Sequence, residues 1–158
     1  MRFRNFLLTT LFCMTGMSAI AQCSDHTVLI RGNFGTARFF VEVADSSAER
    51  ARGLMHRESL PSGAGMLFIY GWPRHVAFWM RNTLIPLDMI FLGRDGRIRH
   101  IHENAIPLDE TPIPGGDDIL AVLEINGGLS RQLGLDVGDE LQHPGLPQKF
   151  AAWPCEKP

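Results

Sequence analysis

Turn signals recur roughly every 8–12 residues along most of this chain, a spacing that leaves room for short strands and little else. Gly32-Asn33-Phe34-Gly35, Leu60-Pro61-Ser62-Gly63, Gly71-Trp72-Pro73, Arg94-Asp95-Gly96-Arg97 and Gly138-Asp139 all interrupt apolar sequence. Between them lie strand-length runs: Val28–Ile30, Ala37–Val43, Met66–Tyr70, Val76–Met80, Leu87–Leu92, Ile98–His102, Ile119–Ile125 and Glu140–Gln142. In the second run Arg38, Phe40 and Glu42 alternate with Phe39, Val41 and Val43, the period of a strand with one wet face. Asp95-Gly96 is a strong hairpin turn. The pattern predicts a mainly β fold, a sandwich- or barrel-like antiparallel sheet. It excludes a doubly wound α/β fold, because the turns are too close together. One short helix is expected at about 47–56. Ser46 and Glu49 form a capping box at its start, and Ala48, Ala51, Leu54 and Met55 share a face. Gly53 inside it points to close packing of helix on sheet. A second helical turn is expected at about 127–133. Residues 104–117, rich in Pro and Gly, read as a long loop of the functional or mobile kind.

The N-terminus carries a second kind of information. Arg2 and Arg4 precede an apolar run from Phe6 to Ala21, roughly 16 residues and short for a membrane span. Ala19-Ile20-Ala21 is a small-x-small cleavage site, so residues 1–21 read as a signal peptide. The protein is therefore expected to be exported, periplasmic or extracellular in a bacterium, with no stable membrane insertion after cleavage. Cleavage removes Cys13 and leaves Cys23 and Cys155, an even pair that invites a disulfide in an oxidising compartment. Loss of Arg2 and Arg4 takes 15 basic residues to 13 against 17 acidic, so net charge moves from −2 to −4. An acidic chain with two lysines is a poor nucleic-acid binder. One β-rich domain over 27–142 and an extended, Pro-rich tail over 143–158 complete the organisation.

Six segments occur in an order that resembles a known family: ERARGLMHRESLP (49–61), GMLFIY (65–70), FWMRNTLIPLDMIF (78–91), DGRIRHI (95–101), VLEINGG (122–128) and LGLDVGDE (133–140). Together they resemble domain-of-unknown-function family 192, over about residues 27–142. The resemblance implies a mainly β, sandwich-like fold with a short helix after the first strands, in proteins that often carry export signals. It implies no reaction and no cofactor, and it assigns no catalytic residue. Cys155 lies beyond the resembling region.

The polar residues set among apolar ones are the candidates for chemistry. Asp88 stands near the start of an apolar strand and Glu124 inside VLEI; a buried carboxylate needs a cation or amide donors. Arg57 is the expected partner of Asp88, with Arg81 second. Arg57, Asn82, Thr83, Asp88 and Glu124, with Trp79 as an apolar wall, could build a polar ligand pocket. The alternative is a buried structural network: Asn82 and Thr83 satisfying a turn, Asp88 neutralising an arginine, Glu124 capping loop amides. His100 and His102, at i and i+2 on one strand, are weak candidates for a metal pair. No GxSxG, P-loop, GxGxxG or CxxC is present, which disfavours common hydrolase, nucleotide and thioredoxin-like chemistry. The expected function is a non-catalytic binding or interaction module, for a small polar or anionic ligand or an envelope protein. A metal-assisted hydrolase using His100 and His102 and a purely structural envelope protein are the alternatives.

Overall fold

The computed structural model describes residues 23–156. The expected signal peptide, residues 1–21, lies outside the described residues. Seven strands and two short helices follow one another: β1 (Thr27–Gly32), β2 (Gly35–Ala44), α1 (Ser47–Arg52), β3 (Ala64–Phe78), β4 (Leu87–Gly93), β5 (Ile98–Ala105), β6 (Ile113–Asn126), α2 (Leu129–Leu133) and β7 (Glu140–Gln142). They form one sheet in the order β5-β4-β6-β3-β2-β1-β7. All pairs are antiparallel except β2–β3, which is parallel, with α1 in the crossover. A bridge between Arg97 and Glu140 ties the two outer strands together, and Ile98 N–H donates to the Asp139 carbonyl at 2.9 Å. The sheet therefore curls into a half-barrel, as the mainly β, barrel-like reading expects.

Two apolar layers follow from the strand period. The inner one joins Val28, Ile30, Phe39, Leu67, Ile90, Leu92, Leu123 and Ile125. The outer one joins Met66, Phe68, Leu87, Met89, Phe91 and Val122 with Leu54 and Met80 from the connections that cover it. Each fully buried Leu, Phe or Met in these layers contributes roughly 1.5–3 kcal/mol.

Three boundaries differ from expectation. α1 ends at Arg52 rather than near His56, because Gly53 takes φ 50° and its N–H returns to the Glu49 carbonyl. A Cβ at Gly53 would meet Phe68 at 3.2 Å, so the glycine both ends the helix and lets the chain lie close on the sheet. Gly71-Trp72-Pro73 does not separate two strands. β3 runs through it, with register shifts against β6 between Ile69 and Ala77. Bulges absorb the missing Pro73 donor and leave Trp72 exposed. The long 104–117 loop is also shorter than expected, since Ile113, Pro114 and Gly116 pair with Phe78, Ala77 and Val76.

The tail is docked rather than free. Cys23 and Cys155, 132 residues apart in sequence, form a disulfide with Cα atoms 5.7 Å apart. Gln142 Nε2 donates to the Pro154 carbonyl at 2.8 Å, and Ala152 N–H to the Asp95 carbonyl at 2.9 Å. Among the described residues no helix is long and apolar enough to cross a membrane.

Candidate functional site

Strand register decides where the buried carboxylates go. Asp88 is opposite Ile125 and Met89 is opposite Glu124. Neighbours in register share a face of the sheet, so Asp88 and Glu124 project to opposite faces. Their environments differ as much as their directions.

Asp88 is fully buried and fully satisfied. Its Oδ1 accepts from the N–H groups of Asn104 at 2.8 Å and Gly128 at 2.7 Å. Its Oδ2 accepts from the Ser130 N–H at 2.8 Å and the Ser130 hydroxyl at 2.5 Å. These donors lie at the end of β5 and the start of α2, so Asp88 pins both to β4. The expected Asp88–Arg57 pair does not form, and neither does the pair with Arg81. Arg57 instead makes a two-pronged pair with Glu42, both contacts at 2.6 Å, on the surface. Four amide and hydroxyl donors replace the cation.

Glu124 is 4 % exposed and no donor or counter-ion acts on it. Burial alone lifts its carboxyl from the ordinary 4.5 to about 8. The expected loop amides do not reach it. Its in-register neighbours on β3 and β4 are Met66 and Met89, which offer no donor. What Glu124 meets is a narrow cavity of about 40 Å³, which also receives Arg50, Gly53, Phe78, Trp79, Arg81 and Thr83. Arg50, Ala51, Phe78 and Trp79 also line a wider groove of about 390 Å³, completed by Tyr70, Ala77 and Pro112. A small polar shaft thus adjoins an apolar, aromatic groove, the two sharing Arg50, Ala51, Phe78 and Trp79.

Each wall has a local cause. The capping box that fixes α1 consists of the Glu49 N–H donating to the Ser46 hydroxyl at 3.2 Å and the Ser46 N–H donating to Glu49 Oε2 at 3.0 Å. It holds Arg50 and Ala51 at the edge of both cavities. Arg50 Nη1 donates to the carbonyls of Asp45 and, at 2.9 Å, Ile69. Phe78 is held edge-on between Phe68, 5.1 Å away, and Phe91, 6.0 Å away. Trp79 remains 49 % exposed just past the end of β3, with Arg81 over its ring at 5.8 Å. Burial pushes the Tyr70 hydroxyl up; Arg50 and Arg74 pull it down and Glu124 pushes it up further.

Of the residues singled out from sequence, Trp79, Thr83 and Glu124 come together at the shaft. Arg57 and Asp88 do not join them. Asn82 is a turn residue at φ 54°, where its carbonyl accepts from the His56 N–H at 2.8 Å. His100 stacks on Phe91, ring centres 5.6 Å apart. No group of three His, Cys, Asp or Glu side chains able to hold a metal ion occurs among the described residues, so no third ligand joins His100 and His102. Arg50, Ala51, Tyr70 and Pro112 escaped sequence reasoning. The capping box that fixes α1 was the available signal for the first two.

The chain matches the model of a family described as Uncharacterized ACR, DUF192, over residues 28–143. It is similar to a protein of unknown function from Novosphingobium aromaticivorans DSM 12444, with 50% identity and a TM-score of 0.72, covering 73% of this chain and 82% of that one. It is also similar to a protein from Sinorhizobium meliloti 1021 described as a "putative transcription regulator". That match has 40% identity and a TM-score of 0.75, and covers 81% of this chain and 100% of that one. Among curated proteins none matches.

Proposed function

Because the chain belongs to the DUF192 family, which is described only as uncharacterized, we propose its function from the site alone: an exported, non-catalytic module that binds a small polar or anionic ligand in the groove between α1 and Trp79. One observation carries this reading. Glu124 is a buried carboxyl with no hydrogen-bond partner, and it faces an opening rather than packed protein. Desolvating such a group costs free energy with no compensating contact inside the fold. A ligand head would supply the missing contact. The groove volume of about 390 Å³ is within the usual range for small-molecule sites. The two carboxylates lie on opposite faces of the sheet, so Asp88 cannot work with Glu124 as an acid–base pair.

A thermal-shift screen of small carboxylates, amines, amides, sugars and amino acids tests the reading. A ligand at about 100 times its Kd adds roughly 2.7 kcal/mol to stability. We expect at least one selective hit, and we expect Trp79→Ala to lose it while keeping the wild-type melting temperature within about 2 °C, since Trp79 is half exposed. Hits that survive in Trp79→Ala would place binding elsewhere and end the proposal.

Export rests on the basic start, the apolar run and the Ala19-Ile20-Ala21 site, and the Cys23–Cys155 bridge supports it, because disulfides persist in oxidising compartments. Protein recovered from the periplasm or the medium should begin at Gln22 and show no free thiol. Reducing the bridge should cost roughly 2–4 kcal/mol by loosening a long loop. A cytoplasmic chain that keeps Met1 would refute export.

A further inference from the structure

The chemistry of the ligand head can be read from the shaft, if the groove is a binding site as proposed. The shaft holds about 40 Å³, room for roughly three waters at about 10–15 Å³ each, so the entering head has only a few atoms. Its charged lining is mostly of one sign. Arg50 and Arg52 approach from α1 and Arg81 from the connection after β3, against Glu124 alone. Among the described residues neither Arg50 nor Arg52 has a carboxylate partner, and Arg81 has only Glu110 at 3.9 Å. Arg50 is already fixed through Nη1 by two backbone carbonyls, which aims its guanidinium before any ligand arrives.

We propose that the ligand is an amphipathic monocarboxylate, with its carboxylate in the shaft between Arg50 and the Glu124 carboxyl and its apolar body on Phe78, Trp79 and Pro112. The carboxylate pairs with the guanidinium, for which a planar fork is the best match. The Glu124 O–H donates to the other ligand oxygen, so two carboxyl groups share one proton and no bond is made or broken beyond it. Burial keeps that proton on Glu124 at neutral pH. An amine head would meet three arginines. An amide head would fit but would forgo the ion pair with Arg50.

The same geometry makes binding proton-linked. The charged groups that share the shaft with Glu124 are Arg50 and Arg52 on α1 and Arg81, and Tyr70 on β3 senses its charge. Glu42 on β2 lies beyond Met66 in the same register row and is paired with Arg57; His102 on β5 lies beyond Met89. The arginines keep their charge throughout. Once Glu124 ionises, its charge opposes the ligand carboxylate, so affinity should fall by up to about tenfold per pH unit above its titration.

Calorimetry with 3-phenylpropionate, 3-phenylpropanamide and 3-phenylpropylamine on the disulfide-bonded protein tests this. The carboxylate should bind at least ~10-fold tighter than the other two near pH 7, and lose about 10-fold or more by about pH 9.5. Glu124→Gln, whose amide still donates, should bind the carboxylate within about threefold of wild type and lose the pH dependence. Arg50→Leu should lose at least ~10-fold; if it does not fold, Arg81→Gln should show a loss of several-fold. Preference for the amine, equal binding of amide and carboxylate, or a pH dependence unchanged in Glu124→Gln would each overturn the proposal. Failure of all three probes would overturn the monocarboxylate class. A different hit from the thermal-shift screen that needs Trp79 would then leave the groove standing.

Discussion

Asp88→Ala lowers the melting temperature by roughly 10–20 °C on our expectation, the conversion of about 3–5 kcal/mol for a chain of this size. The loss has two parts. Three backbone N–H groups and one hydroxyl lose their acceptor at once, and each buried donor left unsatisfied costs about 1–3 kcal/mol before the region relaxes. The tie that holds the end of β5 and the start of α2 against β4 also disappears. Asp88→Asn is expected to recover only part of the loss, because its amide NH₂ would point donor to donor. Arg57→Ala provides the contrast. Its pair with Glu42 is on the surface, with side chains 36% and 58% exposed, and such pairs contribute below about 1 kcal/mol. Urea unfolding of the three variants measures this. A drop for Asp88→Ala no larger than that for Arg57→Ala would refute the anchoring role.

Glu124→Gln is expected to be more stable than the wild type at alkaline pH and similar to it in acid. The ordinary value of 4.5 applies to the unfolded chain and about 8 to the folded one. Between those values the folded state keeps a proton that the unfolded state has released. The folded state binds more protons, so stability falls as pH rises through this window and levels off above it. The contribution is fully present below the unfolded value. Its loss across the window is at most on the order of 4–5 kcal/mol. The glutamine variant has no such titration. Denaturation curves at about pH 5 and about pH 8.5 should therefore converge in acid and separate by several kcal/mol in base, with the variant above the wild type. Parallel pH profiles for the two proteins would mean that Glu124 is paired or solvated.

Much of this molecule was legible in the sequence, and the parts that were not share a cause. The capping box at Ser46 and Glu49, the hairpin turn at Asp95-Gly96 and the strand at Glu140–Gln142 are local in origin, and they appear where local chemistry places them. The faces of Asp88 and Glu124 are not local. Alternation along β4 says that Asp88, Ile90 and Leu92 share a side, and alternation along β6 does the same for Glu124. Neither says which side of one strand meets which side of the other. That depends on the pairing of Met89 with Glu124, and a shift of one residue would have put both carboxylates in one pocket. The Arg57–Asp88 pair failed for the same reason, since an arginine after a helix can reach any surface that register brings near it. Trp72 and Pro73 gave a sound turn signal, yet bulges let β3 continue through them because its partner, the start of β6, follows its bend.

The sequence separation of the paired strands also sets the order in which the groove can come into being. The β1–β2 and β4–β5 hairpins join residues close in the chain and can form within microseconds. The β3–β6 ladder joins Gly65 to Ile125 and must wait for a far larger loop to close. α1 rests on the sheet only after β2 and β3 have come side by side, and Glu124 reaches the groove only after β6 has entered between β3 and β4. The wall and the floor of the groove thus arrive from opposite sides of one long-range closure. A chain caught before that step has both hairpins and no place for a ligand to dock, which makes ligand capture a report on completed folding.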